Sequence, residues 1–369
     1  MKMKKVLAMI LMVAMVFTLA ACGGSTDSGG TDSGSADGGS TDSESADSGS
    51  TNSGSTDKEN AAEVSFAYEM AVGEPGDTGV NAAKEALEES GFTVNAYPNG
   101  QLGSKDDVID QILAGENLIT VADPLYLGEY VGDLSILYGP MLFDDMEQAL
   151  NFMENSTWLR EKNEELAKKG LRIIGFNWIY GDRVITTKTE VTDPSQLKGM
   201  KIRVNSNDIQ IETFKALETA PTAMALTEVY SALQSGAVDG FENTYSTMYN
   251  QGFYEVCPYI YDAPIVCAVS LWICGEEFYQ SLTEEQQEAL LDAMVKGADA
   301  NNTQMNEESA DYLQNMIDAG TKVYEPSDEE FEALKEQLSS VYTNEAVTSH
   351  WADKELYNTI QEEIENLNK

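Results

Sequence analysis

Apolar and polar positions after residue 61 fall into short blocks whose period switches between two and about three and a half, as it does when strands and helices take turns. Residues 64–70 (VSFAYEM) read as a buried strand, 81–89 as a helix stopped by Gly91, and 92–97 as a second strand ended by Pro98-Asn99-Gly100. A helix over 106–114 carries Val108, Ile109, Ile112 and Leu113 on one side, and 118–122 forms a third strand. Strands separated by helices imply a mostly parallel sheet.

Residues 147–169 then read as helix, 171–179 (LRIIGFNWI) as a long buried strand and 183–188 (RVITTK) as another. Asp193-Pro194 and Gly199 punctuate a turn. A short strand follows at 200–204 (MKIRV), helices at 208–217 and 228–234, and a strand at 238–242, so the alternation resumes in a second lobe. The stretch 283–317 favours one long helix, and 328–337 and 353–367 add two more, expected to pack across both lobes.

The first residues have a different pattern. Lys2, Lys4 and Lys5 precede an apolar run at 6–19 that is too short for a stop-transfer helix and reads as an export signal. The run closes on Leu19-Ala20-Ala21-Cys22, the pattern of a lipoprotein cleavage site; the other reading is an ordinary signal peptide with a chance cysteine. Lipidation of Cys22 would supply two acyl chains, enough for stable anchoring. Residues 23–57 are almost wholly Ser, Gly, Thr, Asp and Ala, with nothing to bury, so a disordered tether with a reach on the order of 30 Å is expected. The expected organisation is a signal peptide at 1–21, lipidated Cys22 and tether at 22–60, and a two-lobed domain at 61–369. Lobe 1 would cover about 61–182 plus the C-terminal helices and lobe 2 about 183–275. The expected location is extracytoplasmic, on the outer face of the cell membrane.

Charge narrows the partners. A formal net charge of -41 repels nucleic acid and anionic lipid alike. It also opposes the approach of any anionic ligand, so local cations must do the selecting. Signatures of catalysis are missing: the one histidine, His350, stands beside Trp351 in a polar setting and has no second histidine with which to share a metal. There is no GxSxG elbow, Walker loop or GxGxxG fingerprint, and in so acidic a chain Asp144-Asp145 says little about acid–base chemistry. Cys257, Cys267 and Cys274 are an odd, widely spaced set in or beside apolar runs, read as buried free thiols. No cofactor or metal site is expected, and no enzyme.

The few arginines are more informative. Arg203 lies inside the apolar strand 200–204, where its fork must reach solvent or find an anion, and Arg183 opens a strand shortly after Trp178 and Tyr180. A guanidinium binds a carboxylate through two parallel charge-assisted bonds, strengthened where aromatics exclude water. Spacing alone also allows both arginines to be solvated strand residues.

The run 197–243, LKGMKIRVNSNDIQIETFKALETAPTAMALTEVYSALQSGAVDGFEN, resembles the solute-binding proteins of tripartite ATP-independent periplasmic (TRAP) transporters, the dicarboxylate-binding-protein family DctP. Four blocks match in order: LKGMKIRV, APTAM, EVYSALQSG and VDGFEN. YPNGQLGS, PMLFDDMEQAL and GDRVITTK extend the likeness more weakly over most of residues 61–369. The resemblance implies an α/β, two-lobed periplasmic-binding-protein fold with an interlobe cleft, hinge strands and a long helix spanning both lobes. It implies that Arg203 clamps a ligand carboxylate, assisted by Arg183, that Asn243 hydrogen-bonds the ligand, and that Asp123 adds a polar contact. Trp178 and Tyr180 either shape the pocket or belong to the core. The chain departs from the family pattern at Asn205 and Thr244, where proline is usual.

The implied function is that of a monomeric receptor passing a small organic acid to a permease driven by an ion gradient. The acid could be a C4-dicarboxylate, a sugar acid, or a keto or hydroxy monocarboxylate. Rival readings are a binding protein for an ATP-driven importer or sensor, and a secreted hydrolase.

Overall fold

In the computed structural model, which describes residues 61–369, the first third of the chain pairs as its pattern predicts. Strand β1 (Glu63–Ala67), helix α1 (Pro75–Glu89), strand β2 (Thr93–Tyr97), helix α2 (Lys105–Leu113) and strand β3 (Leu118–Val121) make a parallel group in the order β2-β1-β3. Local chemistry sets the ends. Pro75 opens α1 where a missing N–H costs nothing, and Ser104 caps α2 in a reciprocal box with Asp107. The export segment, Cys22 and the tether lie outside the described residues.

Next come helices α3 (Pro124–Leu127), α4 (Met146–Asn155) and α5 (Thr157–Ala167). The sequence pattern suggested one helix over 147–169, but Ser156 is extended, with φ -64° and ψ 123°, and its hydroxyl caps Leu159 N–H to start a second. A larger departure follows. Strand β4 (Leu171–Thr187) runs unbroken through Tyr180-Gly181-Asp182, where turn-like composition suggested two strands. Gly181 takes φ +112°, a conformation that side chains resist, and absorbs a register shift instead of ending the strand.

The second parallel group comprises strand β5 (Lys201–Val204), helix α6 (Asp208–Ala216), strand β6 (Ala220–Ala223), helix α7 (Leu226–Ser235) and strand β7 (Gly240–Asn243). Helix α8 (Tyr245–Asn250) leads to strand β8 (Tyr259–Gly275), a buried strand of 17 residues to which the sequence pattern assigned no element. Strands β4 and β8 pair antiparallel along most of their lengths and join the two groups, giving the order β2-β1-β3-β8-β4-β7-β5-β6. The sheet is therefore two parallel groups joined by an antiparallel pair, rather than mostly parallel throughout.

Helix α9 (Glu276–Ser281) precedes α10 (Glu284–Asp318), whose 35 residues span about 52 Å. Leu290, Ala293 and Met294 at its start pack with β1 and α1, whereas Met316 near its end packs with Val184 of β4 and Phe241 of β7. One helix thus ties both lobes together. Strand β9 (Lys322–Tyr324) pairs with the start of β8, and helices α11 (Asp328–Ser339), α12 (Glu345–Thr348) and α13 (Leu356–Leu367) complete the chain. Leu334 and Leu338 of α11 join the second lobe's core, while Ile360 and Ile364 of α13 join the first's.

Among the described residues no helix is long and apolar enough to cross a membrane. Cys257, Cys267 and Cys274 are all free and buried, and burial pushes the Cys257 thiol up to about 12.

Candidate ligand-binding site

The two arginines of the second lobe are both buried, but their surroundings differ. Arg203, on β5 between β6 and β7, is 2% exposed; its Nε donates to the Met224 carbonyl at 2.9 Å and its Nη2 to Asn205 Oδ1 at 2.7 Å. No carboxylate of the described residues lies within the 4.0 Å of an ion pair, and Nη1 has no hydrogen-bond partner among them. Burial pushes this guanidinium down from its ordinary range, with Glu242 and Tyr126 acting in the opposite direction. A buried cation with no carboxylate in ion-pair range is costly to hold.

Arg183 already has one. Its Nε and Nη2 reach Glu242 Oε2 and Oε1 at 2.5 and 2.8 Å, and Nη2 also donates to the Glu242 carbonyl at 3.2 Å. The β4–β7 ladder sets the pair up by aligning Ile185 with Glu242. Arg183, expected from the sequence to assist Arg203, thus grips an internal carboxylate with Nε and Nη2, and its guanidinium lies 5.6 and 5.5 Å from the ring centres of Tyr138 and Tyr180. The Gln210 amide also donates to Glu242, and its oxygen accepts from Asn205 N–H at 2.5 Å. A continuous polar chain joins the two arginines.

The opposite wall comes from the first lobe. Asp123, just before α3, is buried; one oxygen lies 3.2 Å from Lys105 Nζ and the other accepts from Ser270 Oγ at 3.5 Å. Lys105 also stands 3.9 Å from Glu69 and 4.8 Å from the centre of the Tyr126 ring. Burial pushes its ammonium down, but Asp123, Tyr126 and Glu69 outweigh that and hold it above its ordinary range. The sequence reading missed Lys105, Glu242 and Gln210. Lys105 looks like one more polar residue in a helix's first turn, and only the packing of α2 against β3 buries it.

Hydrogen bonds cross between the lobes. Tyr126 Oη donates to Asn205 Oδ1 at 3.3 Å, Asn207 Nδ2 to the Leu125 carbonyl at 2.8 Å, and Gln251 Nε2 to Glu74 Oε1 at 3.3 Å. Beside the Tyr126–Asn205 contact lies a cavity of about 170 Å³, with Glu69, Lys105 and Tyr126 on one side and Asn205, Met224 and Leu226 on the other. Asn205 and Met224, the two residues that Arg203 bonds, line this cavity, while the Arg203 side chain itself lies buried behind them.

Comparison with known proteins decides the family. Residues 66–348 match the family model "Bacterial extracellular solute-binding protein, family 7". The chain belongs to this family. Among family-7 relatives it is 30% identical over 282 residues to the ectoine-binding periplasmic protein TeaA of Halomonas elongata, spanning 75% of this chain and 82% of that one. It is 28% identical to the C4-dicarboxylate-binding periplasmic protein DctP of Rhodobacter capsulatus, spanning 76% and 85%. A TRAP periplasmic solute-binding protein from Ochrobacterium anthropi, solved with bound L-fuconate, superposes with a TM-score of 0.76 at 35% identity, covering 83% of this chain and 100% of that one. This family-7 protein is a solute-binding receptor of the TRAP type with the two-lobed fold, and its family works outside the cytoplasm with membrane permeases.

Asn243 ends β7 opposite Val184; it is buried, its Oδ1 accepts from Thr244 N–H at 2.8 Å, and its Nδ2 has no partner among the described residues. Trp178 sits mainly in the first lobe's core, its Nε1 bonded to the Met294 carbonyl at 3.1 Å and its ring 4.7 Å from Trp272. One edge of it lines a small cavity with Glu74, Tyr180, Ser246 and Trp272. The Trp272 Nε1 and the Tyr138 hydroxyl are buried without hydrogen-bond partners among the described residues. His350 pairs with Asp208 at 2.9 Å in an exposed position.

Proposed function

We propose that this receptor captures a hydroxylated monocarboxylate, such as a sugar acid, with the acid group on Arg203 and the hydroxyl groups on the polar wall of the first lobe. One observation carries the reading: of the three buried cations around the cleft, only Arg203 lacks a counter-ion. Arg183 is matched by Glu242, and Lys105 by Asp123 with Glu69 beside it. One unmatched positive charge suits one carboxylate, and a second would meet carboxylates already in place. Those carboxylates accept hydrogen bonds, which a polyol chain supplies. The L-fuconate held by the 35% identical relative, and the L-galactonate held by another from Actinobacillus succinogenes at 28% identity, are acids of this kind.

Arg203, Asn243 and Asp123 are the ligand contacts of this reading, with Trp178 as a wall of the cleft's inner end and Arg183 as the support beneath. Ligand gripped by both lobes favours the closed form, which then docks on a permease powered by an ion gradient. Lipidation at Cys22 would keep the receptor on the outer face of the membrane.

Thermal-shift screening against aldonates, uronates, C4-dicarboxylates and ectoine tests the assignment, because a ligand at about 100 times its Kd adds about 2.7 kcal/mol of stability. A sugar acid is expected to give the largest shift. Tighter binding of succinate than of any sugar acid would defeat the charge argument.

A further inference from the structure

We propose that Asn205 is a positioning residue of this site: it holds the Arg203 fork for the ligand's acid group and, through the same oxygen, fastens that fork to Tyr126 of the opposite lobe. The proposal rests on the ligand site described under Proposed function. Asn205 follows β5 directly and is buried. Its Oδ1 accepts from Arg203 Nη2 at 2.7 Å and from Tyr126 Oη at 3.3 Å. A guanidinium can only donate, so the oxygen of the amide must face it, which fixes the orientation of the side chain. The backbone N–H of Asn205 is bound to Gln210, which in turn contacts the Glu242 that holds Arg183. One residue therefore links both arginines and the far wall of the cleft.

The choice of an amide has a chemical reason. Asparagine accepts two hydrogen bonds beside Arg203 yet leaves its charge unmatched, whereas aspartate of the same shape would supply the counter-ion and occupy the ligand's electrostatic role. Tyr126 can reach Asn205 only while the lobes are together. Its hydroxyl therefore stabilises the closed form alone and slows release of the ligand.

The test uses the full chain and its variants Asn205→Ala, Asn205→Asp and Tyr126→Phe, with L-fuconate and D-glucuronate as probes, measured by calorimetry, stopped-flow release and melting without ligand. Asn205→Ala is expected to weaken binding about 10- to 100-fold, the effect of losing a hydrogen bond to a charged group. Tyr126→Phe should weaken it about 3- to 10-fold, chiefly through faster release. Asn205→Asp should melt above wild type with no ligand present and gain nothing from either acid. Wild-type affinity in Asn205→Asp, or wild-type affinity and release in both other variants, overturns the proposal. If the wild type binds neither acid, the functional reading is what fails. The ligand-free melting of Asn205→Asp then still decides the positioning role, and an unchanged or lower melting temperature sinks it.

Discussion

Arg183 and Glu242 face each other across the β4–β7 ladder through two parallel bonds of 2.5 and 2.8 Å, a guanidinium 3% exposed against a carboxylate 1% exposed. Arg203 nearby has the same burial and no such partner. The contrast separates a buried charge that is paired within the protein from one that is not.

Removing one member of the buried pair leaves the other uncompensated. Glu242→Gln should therefore lower unfolding free energy by about 3–5 kcal/mol in urea denaturation. The double variant Arg183→Met/Glu242→Leu, which removes both charges, should recover much of that loss.

Arg203 behaves oppositely. In calorimetry with a bound acid, Arg203→Ala is expected to cost about 2–5 kcal/mol of binding, and Arg203→Lys should also bind poorly because it loses the fork. Without ligand, Arg203→Met should melt no lower than wild type, since it removes an unmatched buried charge. Unchanged affinity in both the alanine and the lysine variants would show that the acid group sits elsewhere.

Glu74 supplies a pH dependence. Burial raises its carboxyl from the ordinary 4.5 to about 7, and the hydrogen bonds from Ala71 N–H and Gln251 only partly offset this. Between these values the folded protein holds a proton that the unfolded chain has released. Unfolding then frees a proton, so stability falls as pH rises through the window and is level above it. This group alone should account for about 2–3 kcal/mol between pH 5 and pH 8. Denaturation of wild type and Glu74→Gln at both pH values measures it, and identical slopes would refute it.

The crossing of α1 and α10 tolerates no side chain at Gly297. An added Cβ would meet the Trp178 ring at 2.5 Å and the Gly79 carbonyl at 2.9 Å. Alanine normally gains up to about 1 kcal/mol over glycine inside a helix, but overpacking costs about 1–3 kcal/mol, so Gly297→Ala should melt lower than wild type. A higher melting temperature would mean that the contact yields easily.

Regular alternation made much of the architecture legible. The first three strands, the long helix and the block around Arg203 all sit where period and motif placed them, because a buried face writes its own spacing into the chain. Strand β8 escaped because it is buried on both faces, and such a run carries no alternation to distinguish it. The continuity of β4 escaped because glycine beside Asp182 has the composition of a turn, and only pairing with β8 keeps the strand extended.

What residues in order could settle was the class of molecule: an α/β receptor whose few arginines matter more than its many acids. Which arginine is paired inside the protein was decided by folding, since Glu242 lies 59 positions from Arg183 and meets it only through the register of two strands. Charge neutralisation is a matter of distance in space. A chain can announce its cations, but the tertiary structure chooses which of them stay unmatched.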